Sequence, residues 1–241
     1  MKKLISNSCI LALALTASAA TMSTSLAEGH SVAKAQEMYL TAFGGAIFSG
    51  EVNTDGILAG AQNSVDADLD TSFVFGGAFG VTLPDLGSES VTPRLELEIS
   101  HYSADVDEIE FSGSAASPEI DPAGDVSTTL ILANAYLDFE TDTEFTPFVG
   151  VGIGAGIVDF DFAYGGATRP GLREDDTGFA GQLVAGFSYD VTENVELVVD
   201  GRYSRVFNVE STRTLLDGTN TGTASGNVDN FAVTTGLRFK F

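Results

Sequence analysis

The chain has 241 residues and a net charge of -23, from 11 Lys+Arg against 34 Asp+Glu. That balance argues against nucleic acid as a partner, because phosphate would be repelled. A hydrophobic content of 44% with 17 Phe argues against a chain held unfolded by its charge, and 27 Gly with only 19% charged residues do not suggest an ordinary soluble enzyme.

The opening stretch, MKKLISNSCILALALTASAA, has a basic start at Lys2 and Lys3, a short apolar run and then small residues. This pattern predicts a secretory signal peptide over 1–27, cut after Ala27, or earlier after Ala19 or Ala20. Cys9 lies inside it, preceded by SNS and not by an apolar-small lipobox, so the mature domain, 28–241, is expected to have no cysteine and no disulfide. No later run is long and apolar enough for a transmembrane helix. An exported chain of this kind is periplasmic, secreted or built into an outer membrane. The lead 28–36, EGHSVAKAQ, is polar, and its His30 reads as a solvated residue.

From there the hydrophobic period is two. Eight strands are predicted, at 37–48, 71–82, 92–103, 127–139, 146–160, 177–190, 195–208 and 228–241. The gaps alternate in length. Those at 49–70, 104–126, 161–176 and 209–227 are long and polar, whereas PDLGSESVT, ETDTEF and TENV are short. In an up-and-down meander this alternation puts every long loop at one end and every short turn at the other, as in outer-membrane barrels.

Each strand has one apolar and one polar side. In the last strand Phe231, Val233, Thr235, Leu237, Phe239 and Phe241 oppose Ala232, Thr234, Gly236, Arg238 and Lys240. A soluble barrel of lipocalin type would turn the apolar side inward. The export signal, the apolar placement of Phe241 and the alternating loops favour the inverse. So does PFVGVGIGAGIVDF, where Val149, Val151, Ile153, Ala155 and Ile157 alternate with Gly150, Gly152, Gly154 and Gly156. A row of glycines costs local stability and makes sense where bulky side chains must fit across a narrow lumen; the alternative is that it helps the sheet curve. The expected lumen set is Arg94, Arg202, Arg238 and Lys240 with Glu96, Glu98, Asp138, Asp190, Glu196 and Asp200. Compensated, hydrogen-bonded charges are tolerable there. Arg205 has the opposite parity and is expected to snorkel to headgroups or loops. Tyr39, Phe43, Phe139, Phe239 and Phe241 are expected at the membrane interfaces. The fold class that follows is all-β, an eight-stranded antiparallel up-and-down transmembrane β-barrel with both ends periplasmic.

The stretches EMYLTAFGGAIF, TPRLELEISHYSAD, TPFVGVGIGAG, GQLVAGFSYDVTENVELVVDGRYSRV and TTGLRFKF resemble the opacity protein family, the OmpA-like class of eight-stranded barrels often labelled porins. The resemblance covers nearly the whole mature chain except the loops. It implies location in the outer membrane of a Gram-negative bacterium, assembly by the barrel-insertion machinery through a terminal aromatic signal, and variable surface loops. It carries over no catalytic residue. The longer OmpA type has a peptidoglycan-binding domain after the barrel, and this sequence shows none.

Candidate chemistry is sparse. His101 and Ser103 share an outward strand face, and outer-membrane lipid A deacylases carry a similar His-x-Ser pair, though late in the chain. A Ser/His pair supports acyl transfer only if an acid orients the His; Asp105 and Asp107 are near in sequence but are not fixed on that face. The acids of DADLD (66–70), DVDEIE (105–110) and REDD (173–176) suit Ca2+ but complete no EF-hand loop. No catalytic, cofactor-binding or metal site is assigned. The expected function is a structural or surface-interaction barrel with a charge-filled lumen and four long acidic extracellular loops. It is expected to be monomeric and to contact outer-membrane lipid and lipopolysaccharide, bridged by divalent cations. The alternatives are a narrow cation-preferring channel and then a lipid A deacylase.

Overall fold

The computed structural model describes residues 36–58, 61–69, 71–113, 123–163, 171–214 and 220–241, all within one compact unit, Ala33–Phe241. The predicted signal segment 1–27, His30 and Cys9 lie outside the described residues. The strands are β1 (Met38–Leu58), β2 (Ala61–Leu69), β3 (Ser72–Thr82), β4 (Val91–Gly113), β5 (Ala123–Phe139), β6 (Phe145–Ala163), β7 (Gly171–Thr192), β8 (Val195–Thr214) and β9 (Asn220–Lys240). No described helix is long and apolar enough to cross a membrane.

The order β1-β3-β4-β5-β6-β7-β8-β9 closes on itself because β1 also pairs with β9, from Tyr39↔Lys240 to Gly56↔Ala224. Every pairing is antiparallel. β2 pairs with the far half of β1 and of β4, continuing the line of β3, so β2 and β3 are two parts of one stave. The ring therefore has eight staves, as the alternation predicted. Closure leaves no sheet edge inside a bilayer, where an unpaired backbone group would cost several kcal/mol (about the cost of a lost hydrogen bond in hydrocarbon).

At the near end the connections are short: 83–90 with a 3-10 turn at Pro84–Leu86, 140–144, and 193–194. At the far end the strands run well past their predicted limits. β1 continues to Leu58, β4 to Gly113 and β6 to Ala163, while β5 starts at Ala123, β7 at Gly171 and β9 at Asn220. Most of the residues expected in long loops thus build barrel wall. The physical reason is that antiparallel pairing is made by backbone groups, which need no apolar side chain. Apolar alternation marks only the part of each strand that meets lipid.

The far end is also where the ladder is irregular. Asn208 has φ 52, the left-handed region that Asn tolerates, and β8 slips register against β9 between Val206 and Val209. This is a bulge, one extra residue that bends the strand. The Asn208 N–H is not lost, since it donates to Asn227 Oδ1 at 3.2 Å.

Candidate functional site: the lumen and the outward face

Alternation sends Leu95, Leu97, Ile99, Val149, Val151, Ile153, Leu183, Val233 and Leu237 outward, all exposed. Near the short turns this apolar band is bordered by Phe139, Phe145, Phe187, Phe239 and Phe241, and near the far end by Phe48, Phe73, Phe75, Phe179 and Phe231. Phe145 packs with Phe187 and Tyr189 at centroid distances of 5.9 and 4.9 Å. Two of the predicted interfacial aromatics belong elsewhere: Tyr39 and Phe43 are buried and point into the lumen. In MYLTAF both parities carry apolar residues, so the local sequence does not choose between them. Pairing chooses, by matching Leu40 with the outward Phe239 and Phe79.

The lumen has two tiers. The one nearer the short turns is charged. Arg94, only 1% exposed, donates from Nε to Asp138 at 2.8 Å, from Nη1 to Tyr39 Oη at 3.2 Å, and from Nη1 to Glu96. Its guanidinium lies 3.8 Å from the Tyr136 ring centroid and 4.9 Å from that of Phe148. Deeper in, Arg202 forks onto Asp200 at 2.9 and 3.1 Å and reaches Glu98 at 3.0 Å, with Phe43 beneath it at 4.2 Å. Glu98 also accepts from Asn134 at 2.8 Å, Ser100 at 3.2 Å and Gln182 at 3.3 Å. Thr234 donates to Asp200 at 2.9 Å. Here β4, β5, β7, β8 and β9 meet around one carboxylate pair. The structure brings together the inward charges expected from alternation, and Thr234 on the side expected of it; the polar partners Asn134 and Gln182 were missed, although the same parity marks them.

Arg238 bonds Glu196 at 2.7 Å, and Lys240 bridges Asp190 at 3.1 Å and Glu196 at 3.0 Å. These last groups belong to the mouth: Asp190 is exposed, and Glu196 and Lys240 are half-buried. They rim a cavity of about 270 Å³ that also takes in Glu37, Tyr39, Asp138 and Glu140. Beyond it, the charged tier leaves only about 20 Å³, lined by Phe43, Glu98, Arg202 and their neighbours. That is room for about one water.

Toward the far end the lumen becomes apolar. Ile47, Val74, Tyr102, Val126, Leu130, Val158, Ala180, Val206 and Val228 form one buried cluster. Tyr102 keeps its hydroxyl paired by accepting from Asn230 Nδ2. The glycine row faces this interior. A Cβ at Gly150 would lie 2.2 Å from the Tyr136 ring, at Gly152 1.9 Å from Asn134 Oδ1, and at Gly156 2.5 Å from Val206. At Gly154 it would strike the Ile131 carbonyl oxygen at 2.0 Å. The bulk that needs these glycines comes largely from the adjacent strand β5.

The outward polar residues have separate partners. His101 Nδ1 meets Thr129 Oγ1 at 2.9 Å and packs on Phe75 at 5.5 Å. Ser103 Oγ donates to Asp125 Oδ2 at 3.3 Å. The two share a face, but each bonds its own residue on β5. Arg205 is outward, as its parity predicted, and it pairs with Asp229 on β9. Most of the acids in DADLD, DVDEIE and REDD lie outside the described side chains, and no group of three metal-ligating residues occurs among those described.

A closed antiparallel ring with an apolar outer band, aromatic borders and an ion-paired interior defines an integral outer-membrane β-barrel. The chain belongs to the family described as outer membrane protein beta-barrel domain, which matches residues 9–241. It resides in the outer membrane of a Gram-negative bacterium. An 82-residue stretch is 39% identical to an uncharacterized protein of Brucella abortus, covering 31% of this chain and 29% of that one. The chain thus spans less than a third of the curated relatives it matches. Among solved structures, the outer membrane protease OmpT from Escherichia coli aligns with a TM-score of 0.53 at 13% identity, over 85% of this chain and 97% of that one. The outer membrane protein OprG from Pseudomonas aeruginosa aligns with a TM-score of 0.51 at 15% identity, over 86% and 95%. At such identities the likeness is one of fold.

Proposed function

We propose that this protein is a closed, non-catalytic barrel that acts as a structural and surface-interaction protein of the outer membrane. The observation that carries this reading is the filled lumen: an ion-paired tier with room for about one water under a packed apolar tier. Eight strands give an interior just wide enough for side chains, whereas aqueous porins have about sixteen or more. What is left to act is the outer surface: the far-end hairpins, acidic in sequence, and the wall that meets lipopolysaccharide. Acidic ends suit a basic partner or one bridged by divalent cations. Nucleophilic catalysis asks a base to reach the hydroxyl, and His101 and Ser103 bond to different residues. The refolded protein is therefore expected to release no acyl chain from lipid A.

A second reading, a narrow cation-preferring pore, draws on the mouth cavity of about 270 Å³, where acids outnumber bases. Single-channel recording in planar bilayers separates the two. The closed barrel gives no stable unit conductance; a reproducible cation-selective step from the folded protein would replace it with the pore.

A further inference from the structure

Among the described side chains, Arg94, Arg202, Arg238 and Lys240 face the lumen or its mouth, and Arg205 is the cation that stands on the outer wall. Its Nε and Nη2 donate to the two oxygens of Asp229 at 2.6 and 2.9 Å, and Tyr203 Oη donates to Asp229 Oδ1 at 2.5 Å. Arg205 and Asp229 sit directly opposite on β8 and β9. One edge of the guanidinium is thereby fixed. The other, Nη1, has no hydrogen-bond partner among the described residues, and the side chain is 40% exposed.

The height of this clamp matters. On β9 the outward residues from Phe241 to Phe231 span roughly 33 Å of strand at ~3.3 Å per residue. At a tilt of ~40° that is about 25 Å along the normal, the height of a barrel's apolar band. Asp229 is the next outward residue. The clamp therefore lies where the outer leaflet's headgroups begin. Below and beside it, Phe179, Phe231 and Tyr203 are exposed, Phe207 lies 5.8 Å from the guanidinium, and Phe179 packs on Phe207 at 5.9 Å. Beyond the band the described residues include the exposed acids Asp105, Asp125 and Asp159 on other strands and Glu210 further along β8, which repel anions and leave Arg205 as the cationic point at the band's edge.

We propose that the Arg205–Tyr203–Asp229 clamp docks a phosphate of the phosphorylated glycolipid of the outer leaflet, with its acyl chains against Phe179, Phe207 and Phe231. The contact rests on the proposed meeting with lipopolysaccharide and narrows it to one sector that needs no metal. A guanidinium fork matches phosphate geometry. Asp229 opposes the anion by charge, and its role is to hold the fork with Nη1 outward.

The test uses the folded full barrel in detergent micelles with EDTA present. The probes are diphosphoryl lipid A, dephosphorylated lipid A and inorganic phosphate. Wild type is expected to bind diphosphoryl lipid A about tenfold more tightly than the dephosphorylated form. Arg205→Gln removes that preference and leaves the weaker affinity unchanged; Gln still hydrogen-bonds Asp229, and Arg205→Lys, which keeps charge without the fork, falls between. Millimolar inorganic phosphate does not displace the lipid. Equal affinities for wild type and Arg205→Gln, no preference between the lipids, loss of binding in EDTA, or displacement by free phosphate would each overturn the proposal. Conductance, which decides the closed-barrel reading, is independent of all of these arms.

Discussion

Arg202 shows how much one side chain can carry in a narrow lumen. It neutralises Glu98 and Asp200 from within 3.1 Å, with Phe43 stacked beneath. Arg202→Leu leaves two buried carboxylates with one positive neighbour fewer, and breaking a buried pair in this way costs about 3–5 kcal/mol. Glu89→Ala, on an exposed turn, is expected within about 0.5 kcal/mol of wild type. Equilibrium urea unfolding in lipid vesicles reads both. The glycines give a second contrast. A Cβ at Gly154 would strike backbone at 2.0 Å, whereas at Gly44 it would rest in ordinary contact at 3.6 Å. Gly154→Ala is therefore expected to lose about 1–3 kcal/mol by overpacking, and Gly44→Ala much less, in the same unfolding measurement.

Strands in this barrel are longer than the membrane requires. Crossing takes about nine to eleven residues, yet β4 has 23 and β7 has 22. Past the apolar band, β1 and β9 stay paired from Gly50↔Asn230 to Gly56↔Ala224. Backbone amides in 50–56 are therefore expected to be protected from hydrogen exchange although they lie past the apolar band. Exchange at the rate of free peptide there would place the end of the wall near Ile47 instead. The same strands explain the misplaced loop boundaries. Residues 104–113 read as loop because DVDEIE breaks the apolar alternation, but β4 continues through them by pairing with β2.

For the molecule as a whole, the order of the tiers decides whether anything passes. Ions entering from the short-turn end would meet the mouth cavity, then paired arginines, then an apolar cluster in which Val126, Val158, Val206 and Val228 are at most 1% exposed. Removing charge from Arg202 leaves that cluster in place. A combined Val158→Gly, Val206→Gly and Val228→Gly variant is expected to open measurable conductance in planar bilayers, while Arg202→Leu stays silent. Conductance from Arg202→Leu alone would mean that the charged tier is the barrier.

The sequence by itself determined the architecture and the sidedness of most strands. Period-two alternation is local information, so Leu95, Val149 or Leu237 could be sent outward and Arg94, Glu98 or Arg202 inward without knowing any neighbour. The predicted export signal and the loop asymmetry then chose lipid over water for the apolar side. Tertiary structure decided what alternation cannot encode. Tyr39 and Phe43 take their face from pairing with β3 and β9, because both parities of β1 are apolar. The glycine row has its reason in Tyr136, Asn134 and the Ile131 backbone, which only register brings alongside. Arg205 met Asp229 for the same cause: 24 residues apart in sequence, they become neighbours only when β8 and β9 set their register. Local polarity fixes a side; which residue stands opposite is a property of the closed ring, where each strand's register is tied to all the others.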